Sequence, residues 1–200
     1  MNHLSPVLGE FLQEFPDITV NMVLNNRYVE LISEGFDLAI RIADLEDSSL
    51  IARRIASTTL HVVASPTYVE KHGAPGTPED LLGHRGLVYT NAARPGIWRY
   101  VAPDGRQGEV EVPVTLQASS GTFLADAACA GQGVALEPDF IACDALRDGR
   151  LVSLLTDWSW PTLSIYAVYP PTRYLTRRVR SLIDFLVDRF ANGAPWQLGS

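Results

Sequence analysis

Arg41 stands inside the run Leu38-Ala39-Ile40-Arg41-Ile42-Ala43, where every neighbour suits a buried strand and a guanidinium does not. Such a group is either paired or turned towards a polar space. Held rigid, it grips a carboxylate through two parallel hydrogen bonds. Both roles are open to Arg41: an ion pair with Asp37, Asp44 or another acid, or recognition of an acidic ligand. Three short polar stretches offer the same kind of chemistry. Asn25-Asn26 follows the alternating run Ile18–Leu24, Thr90-Asn91 follows GLVY, and Ser119-Ser120-Gly121-Thr122 precedes a run of small residues. Their hydroxyls, amides and free backbone N–H groups hydrogen-bond a small molecule without reacting with it. Each has a plainer use as well: the serines as N-caps, the asparagines as a turn.

Catalytic and metal-binding patterns are thin. His3, His61, His72 and His84 show neither HxH nor HExxH spacing, and none lies beside a nucleophile motif. Cys129 and Cys143 lack CxxC spacing and read as ordinary buried thiols. Gly131-Gln132-Gly133 is followed by Val134-Ala135-Leu136, so GxGxxG fails at its third glycine and the segment reads as a helix C-cap. Trp158 and Trp160 are candidates either for a ligand surface or for burial between lobes. No catalytic residue, metal site or cofactor is assigned.

The bulk properties agree with a binding module. With 46% hydrophobic and 20% charged residues, 200 residues can bury a sizeable core as one domain or two small lobes. The 16 basic and 23 acidic side chains leave a net charge of -7, which opposes binding to a polyanion. This segment is not expected to contact DNA itself. No run is long and apolar enough for a membrane span, and the first residues lack a basic region and an apolar h-region. A cytoplasmic location is the expectation.

The elements that must position these groups can be read in order. Leu4, Val7, Leu8, Phe11, Leu12 and Phe15 recur at helical spacing up to Pro16. Ile18, Val20, Met22 and Leu24 alternate as in a strand, residues 28–34 read as a helix ending at Gly35, and 38–43 as a strand buried in a parallel sheet. Arg53-Arg54 reads as solvated or at a subunit contact, and 58–64 as a short strand. Ser65-Pro66 and Thr77-Pro78 each pair a capping residue with Pro at the first helical position. Asp104-Gly105 marks a hairpin between IWRYV and EVEVPVTL. SSGTFLADAACAGQGVALEP reads as helix, turn and strand, LSIYAVYP as a buried strand, and Val179, Leu182, Ile183, Leu186 and Phe190 as the stripe of a last helix.

ELISEGFDLAIRIADLEDSSLIARRI, VVASPTYVEKHG, TPEDLLGHRGLVY, AACAGQGVALEP, DGRLVSLL and IYAVYP with RRVRSLIDFLVDRF, in this order, resemble the effector-binding domain of LysR-type transcriptional regulators. The resemblance spans nearly the whole chain. It implies an α/β, type 2 periplasmic-binding-protein-like fold: two lobes joined by two crossover strands, with a cleft between them for a small molecule. Lobe one would take residues 1–64 and 164–200, and lobe two 65–163. The candidate ligand contacts are Asn25, Asn26, Arg41, Thr90, Asn91, Ser119, Ser120, Gly121 and Thr122. The implied partners are a small-molecule effector, possible in anionic form, and further copies in a homodimer or homotetramer. DNA would be reached only through a winged helix-turn-helix domain absent from this chain.

Members of that family open the effector domain with a strand of the pattern LRVSAPxxFG, whose turn supplies a ligand-binding Ser or Thr. Here Met1 falls at the first helix, so that strand of lobe one is expected to be missing. The function implied is ligand sensing without catalysis; the alternative is a stand-alone solute-binding protein of the same fold.

Overall fold

The computed structural model of the protein describes residues 3–24, 31–42, 50–171, 175–191 and 193–197. The chain divides into two compact units, Met1–Thr58 with Leu163–Gln197, and Thr59–Thr162 with the last three residues.

In the first unit, α1 (Leu4–Glu14) forms where the helical stripe is densest and stops before Pro16. Val7 and Phe11 are its buried residues, as Ile183, Leu186 and Phe190 are for α6 (Arg177–Phe190). Phe11 meets Phe185 edge-on at 5.4 Å, and Arg189 reaches Glu10 with two hydrogen bonds of 2.8 and 3.2 Å. Thr176 caps α6 by accepting from the Val179 N–H. α2 (Leu31–Glu34) ends at Gly35, whose φ of 73° lets the Phe36 N–H return to the Leu31 carbonyl.

β1 (Ala39–Ile42) lies antiparallel to β9 (Thr162–Tyr169), with Arg41 opposite Tyr166. This corrects the parallel, doubly buried strand read from the apolar run: β1 is half-buried and Ile42 is 39% exposed. A short apolar run reports burial, and the direction of pairing is set by a partner far away in the chain. A second correction concerns Ile18–Leu24, which joins no strand ladder among the described residues and leaves Met22, Val23 and Leu24 exposed. Alternation gives a segment two unlike faces; a strand also needs a neighbouring backbone to bond.

β2 (Ile51–Ala64) is twice the length expected and takes in Arg53 and Arg54, with Arg53 paired to Asp184 of α6. β2 and β9 both run through the boundary between the two units.

The second unit holds a sheet in the order β8-β2-β7-β3-β6. β7 (Val134–Pro138), β3 (Gly86–Tyr89) and β6 (Val114–Ala118) are mutually parallel, while β2 is antiparallel to β7 and to β8 (Val152–Leu154). Val62 and Val63 point to opposite faces and both are fully buried, because each face is covered. On one side lie Tyr68, Leu81, Trp98, Val110 and Trp160. These come from α3 (Pro66–His72), a 3-10 helix (Pro78–Gly83), the hairpin β4 (Ile97–Val101) and β5 (Gln107–Glu111), and the segment after β8. Trp160 thus belongs to this unit's own core, with its Nε1–H donated to the Leu155 carbonyl at 3.3 Å.

The other side is covered by α4 (Gly121–Cys129) and α5 (Asp139–Arg147), packing Leu124, Ala128, Ala142 and Ala145 on Val63, Leu87 and Ala135. Neither α5 nor β8 stands out in the sequence, since DFIACDALR carries few large apolar side chains to mark a stripe. Gly133 permits the close crossing behind β7: a Cβ there would fall 2.1 Å from the Arg85 carbonyl oxygen. No helix among the described residues is long and apolar enough to cross a membrane.

Candidate functional site

The parallel pairing of β3 and β6 sets Tyr89 opposite Ala118, and the Thr90 N–H continues the ladder to the Ala118 carbonyl at 3.0 Å. The two strands therefore end side by side. Thr90-Asn91 from one and Ser119-Ser120-Gly121-Thr122 from the other emerge at the carboxyl edge of the sheet, where α/β folds gather ligand-binding loops. Thr90, Asn91, Ser119 and Thr122 are exposed there, while Ser120 and Gly121 are half-buried.

Ser120 has the capping role open to it in sequence. Its Oγ accepts from the Phe123 N–H at 3.3 Å, and its carbonyl accepts the Leu124 N–H at 3.2 Å. The N–H groups of Gly121 and Thr122 open the helix and have no partner within it, so they carry its partial positive charge outward. Gly121 allows a close approach: an added Cβ would meet the side-chain ends Ile141 Cδ1 at 2.6 Å and Glu137 Oε2 at 2.7 Å, which would have to shift.

That neighbour is the group that sequence reasoning passed over. Glu137 is 1% exposed at the carboxyl end of β7, and its Oε1 has no hydrogen-bond partner. Burial pushes its carboxyl up to about 8, so at neutral pH it is largely protonated. Directly across the ladder stands His61 of β2, whose side chain shares the same face and whose Nε2 is likewise buried and unpartnered. Burial lowers the His61 pKa, and the charge of Asp139 offsets part of the effect. Asp139, the first residue of α5, is itself buried and accepts the Thr59 N–H at 3.3 Å. The available signal was the one used for Arg41: an acid inside the apolar run VALEP.

The other expected contacts fall elsewhere. Arg41 lies in the first unit, half-buried on β1. Asn25 and Asn26 lie outside the described residues. A separate surface cavity of about 490 Å³ in the second unit is lined by Glu79, Tyr100, Arg106 and Trp158, among others, with Tyr100 donating to Glu79 at 2.6 Å. Its Tyr100 and Trp158 pack on the face of the sheet opposite α4, so it is a different place from the carboxyl-edge loops.

The arrangement suits capture of a small anion: two hydroxyl- and amide-bearing loops surround an open helix N-terminus above a neutral carboxyl. Glu137 and His61 have pKa values moved in opposite directions; Glu137 is 1% exposed and His61 is half-buried.

Comparison with known proteins agrees. A family model described as the LysR substrate binding domain matches residues 1–191. An HTH-type transcriptional regulator of Haemophilus influenzae is 37% identical over 179 residues, which make up 90% of this chain and 62% of that protein. The regulator CrgA of Neisseria meningitidis is 33% identical over 190 residues, covering 94% of this chain and 63% of CrgA. The chain thus spans less than two thirds of the length of these relatives. Among solved structures, the CrgA regulatory domain superposes with a TM-score of 0.83 at 31% identity, over 93% of this chain and 91% of that one. Full-length AphB of Vibrio cholerae gives 0.78 at 30% identity, over 92% of this chain and 62% of AphB. The α/β architecture is that of these regulatory domains, which share the two-lobe fold of type 2 periplasmic binding proteins. By sequence and by fold, the chain belongs to the LysR substrate-binding domain family, the effector-binding part of LysR-type transcriptional regulators.

Proposed function

We propose that this chain senses a small anionic metabolite, without chemical change to it, on behalf of a DNA-binding regulator. The single observation that carries the reading is the juxtaposition of Thr90-Asn91 with Ser119–Thr122 at the α4 N-terminus by the parallel β3–β6 ladder. In this reading Ser119, Thr122, Thr90 and Asn91 supply hydrogen bonds, and the Gly121 and Thr122 N–H groups take the anionic group. Arg41, Asn25 and Asn26 are kept in this reading as further ligand contacts on the strength of the family resemblance. The two compact units act as lobes one and two, whose relative populations of arrangements the effector biases. Transmission to DNA passes through a helix-turn-helix domain like those named in the relatives, within a homodimer or homotetramer. The net charge of -7 supports assigning DNA contact to such a separate domain.

The absence of catalysis in this reading is supported by the chemistry of the loops. Hydroxyl, amide and backbone groups bind without reacting, and the Glu137 carboxyl is 1% exposed. The test is a thermal-shift screen of the chain against small carboxylates, phosphates and amino acids. A true effector at a hundred times its dissociation constant stabilises the fold by about 2.7 kcal/mol. Stabilisation that survives replacement of both Ser119 and Thr122 by Ala, or a hit that is consumed, refutes the proposal.

A further inference from the structure

We propose that Glu137 makes anion capture at the α4 N-terminus proton-linked: the site accepts an anionic effector with the Glu137 carboxyl neutral and releases it when that carboxyl ionises. The inference rests on the preceding reading of the α4 N-terminus as the anion site. It adds a regulatory residue that contacts the ligand-binding helix from below.

The geometry carries it. The Glu137 carboxyl is 1% exposed and lies against Gly121, with Oε2 2.7 Å from the position a Cβ would occupy there. Gly121 is the first residue of α4, so this carboxyl packs against the residue that opens the helix and carries the first of its free N–H groups. Two negative charges at one helix end, one of them on a carboxyl that is 1% exposed, repel more strongly than they would in water. One of the two must therefore be absent, and a proton on Glu137 removes it.

Among the described residues, the neighbouring groups supply no fixed positive charge against this carboxyl. From β2, His61 faces Glu137, and burial disfavours its charged form, an effect the charge of Asp139 partly offsets. From the first turn of α5 comes Asp139, an acid occupied in part by the Thr59 N–H. β3 contributes the half-buried Tyr89 on the same face, and α4 carries Asp126 at its exposed side. Farther along α5, Arg147 engages Asp144 at 3.6 Å at the surface. Oε1 of Glu137 and Nε2 of His61 both lack partners, so the two side chains do not hold each other in a fixed ion pair. The value of about 8 reached by burial places the transition within reach of ordinary buffers.

The experiment uses the full chain and inorganic sulfate, whose charge is constant across the range. Amide shifts of Gly121 and Thr122 are followed by NMR at pH 6 and pH 9, with the Glu137 carboxyl carbon titrated with and without sulfate. The expected result is binding at both amides that weakens roughly tenfold from pH 6 to pH 9, and a Glu137 midpoint raised by sulfate, since linkage is reciprocal. Glu137→Gln, of the same shape but with no proton to lose, is expected to bind with one affinity at both pH values. If sulfate moves these amides equally at pH 6 and pH 9, or if the Gln variant declines as the wild type does, the proton linkage is overturned and the anion site stands. Amides that stay unmoved at either pH overturn the anion site itself, and the linkage with it.

Discussion

Replacing Glu137 by Gln should stabilise the protein, and increasingly so as the pH rises. In the folded chain the carboxyl titrates near 8; in the unfolded chain it returns to the ordinary 4.5. Because the folded value is the higher, the stability tied to the protonated form is fully present below 4.5 and is lost as the pH climbs through 8. At 1.36 kcal/mol per unit, folding at pH 7 must recruit a proton that the unfolded chain has released, at a cost of roughly 3 kcal/mol from this one side chain. The amide of Gln needs no proton and keeps the volume, although it still leaves polar atoms to be satisfied. The clean observable is therefore a difference of differences. Urea unfolding of wild type and Glu137→Gln at pH 5, 6, 7 and 8 should show the stability gap widening by roughly 2–3 kcal/mol between pH 5 and pH 7, then flattening above about 8. Curves that run parallel across the range would refute the reasoning, because they would mean that Glu137 folds as a carboxylate with a partner.

Three further outcomes follow from particular contacts. Ser120→Ala removes the oxygen that accepts the Phe123 N–H and should cost about 1 kcal/mol by chemical denaturation, whereas Ser120→Gly should cost only a few tenths. Gly133→Ala drives a Cβ into the Arg85 carbonyl and should lower stability by at least 1–3 kcal/mol, roughly the cost of forced overpacking. Gly83→Ala, in open space at the end of the 3-10 helix, should stay within about 0.5 kcal/mol and so serves as its control. Arg189→Ala breaks the doubly hydrogen-bonded contact with Glu10, but both side chains are about half exposed, so the loss should be small by chemical denaturation and should shrink further in high salt.

Local chemistry made much of this chain legible. The Ser65-Pro66 start of α3, with Ser65 Oγ accepting the Tyr68 N–H, needs only the cap and the pre-set proline φ. Asp104-Gly105 turns the β4–β5 hairpin because Gly105 takes a φ of 84°, and Gly131 closes α4 at 75° for the same reason. Two of the polar loops could be placed at a strand's end and a helix's start, and the N-cap use open to the serines is the one Ser120 has. Where the reading failed, the missing quantity was non-local. Ile18–Leu24 alternates as a strand should and still finds no ladder among the described residues, while Arg53 sits within a longer strand and meets Asp184 from a helix 131 positions away.

The amino-acid order alone determined which segments turn, cap and hide an apolar face, because those preferences are settled within a few residues by backbone sterics and side-chain polarity. Only the tertiary structure decided that β1 runs antiparallel to β9, that the loops after β3 and β6 share one edge, and that Glu137 lies under Gly121 opposite His61. An acid in VALEP has the same covalent chemistry in water or in a core. Its proton affinity is set by what the fold removes from around it, and that is a property of distant residues brought together.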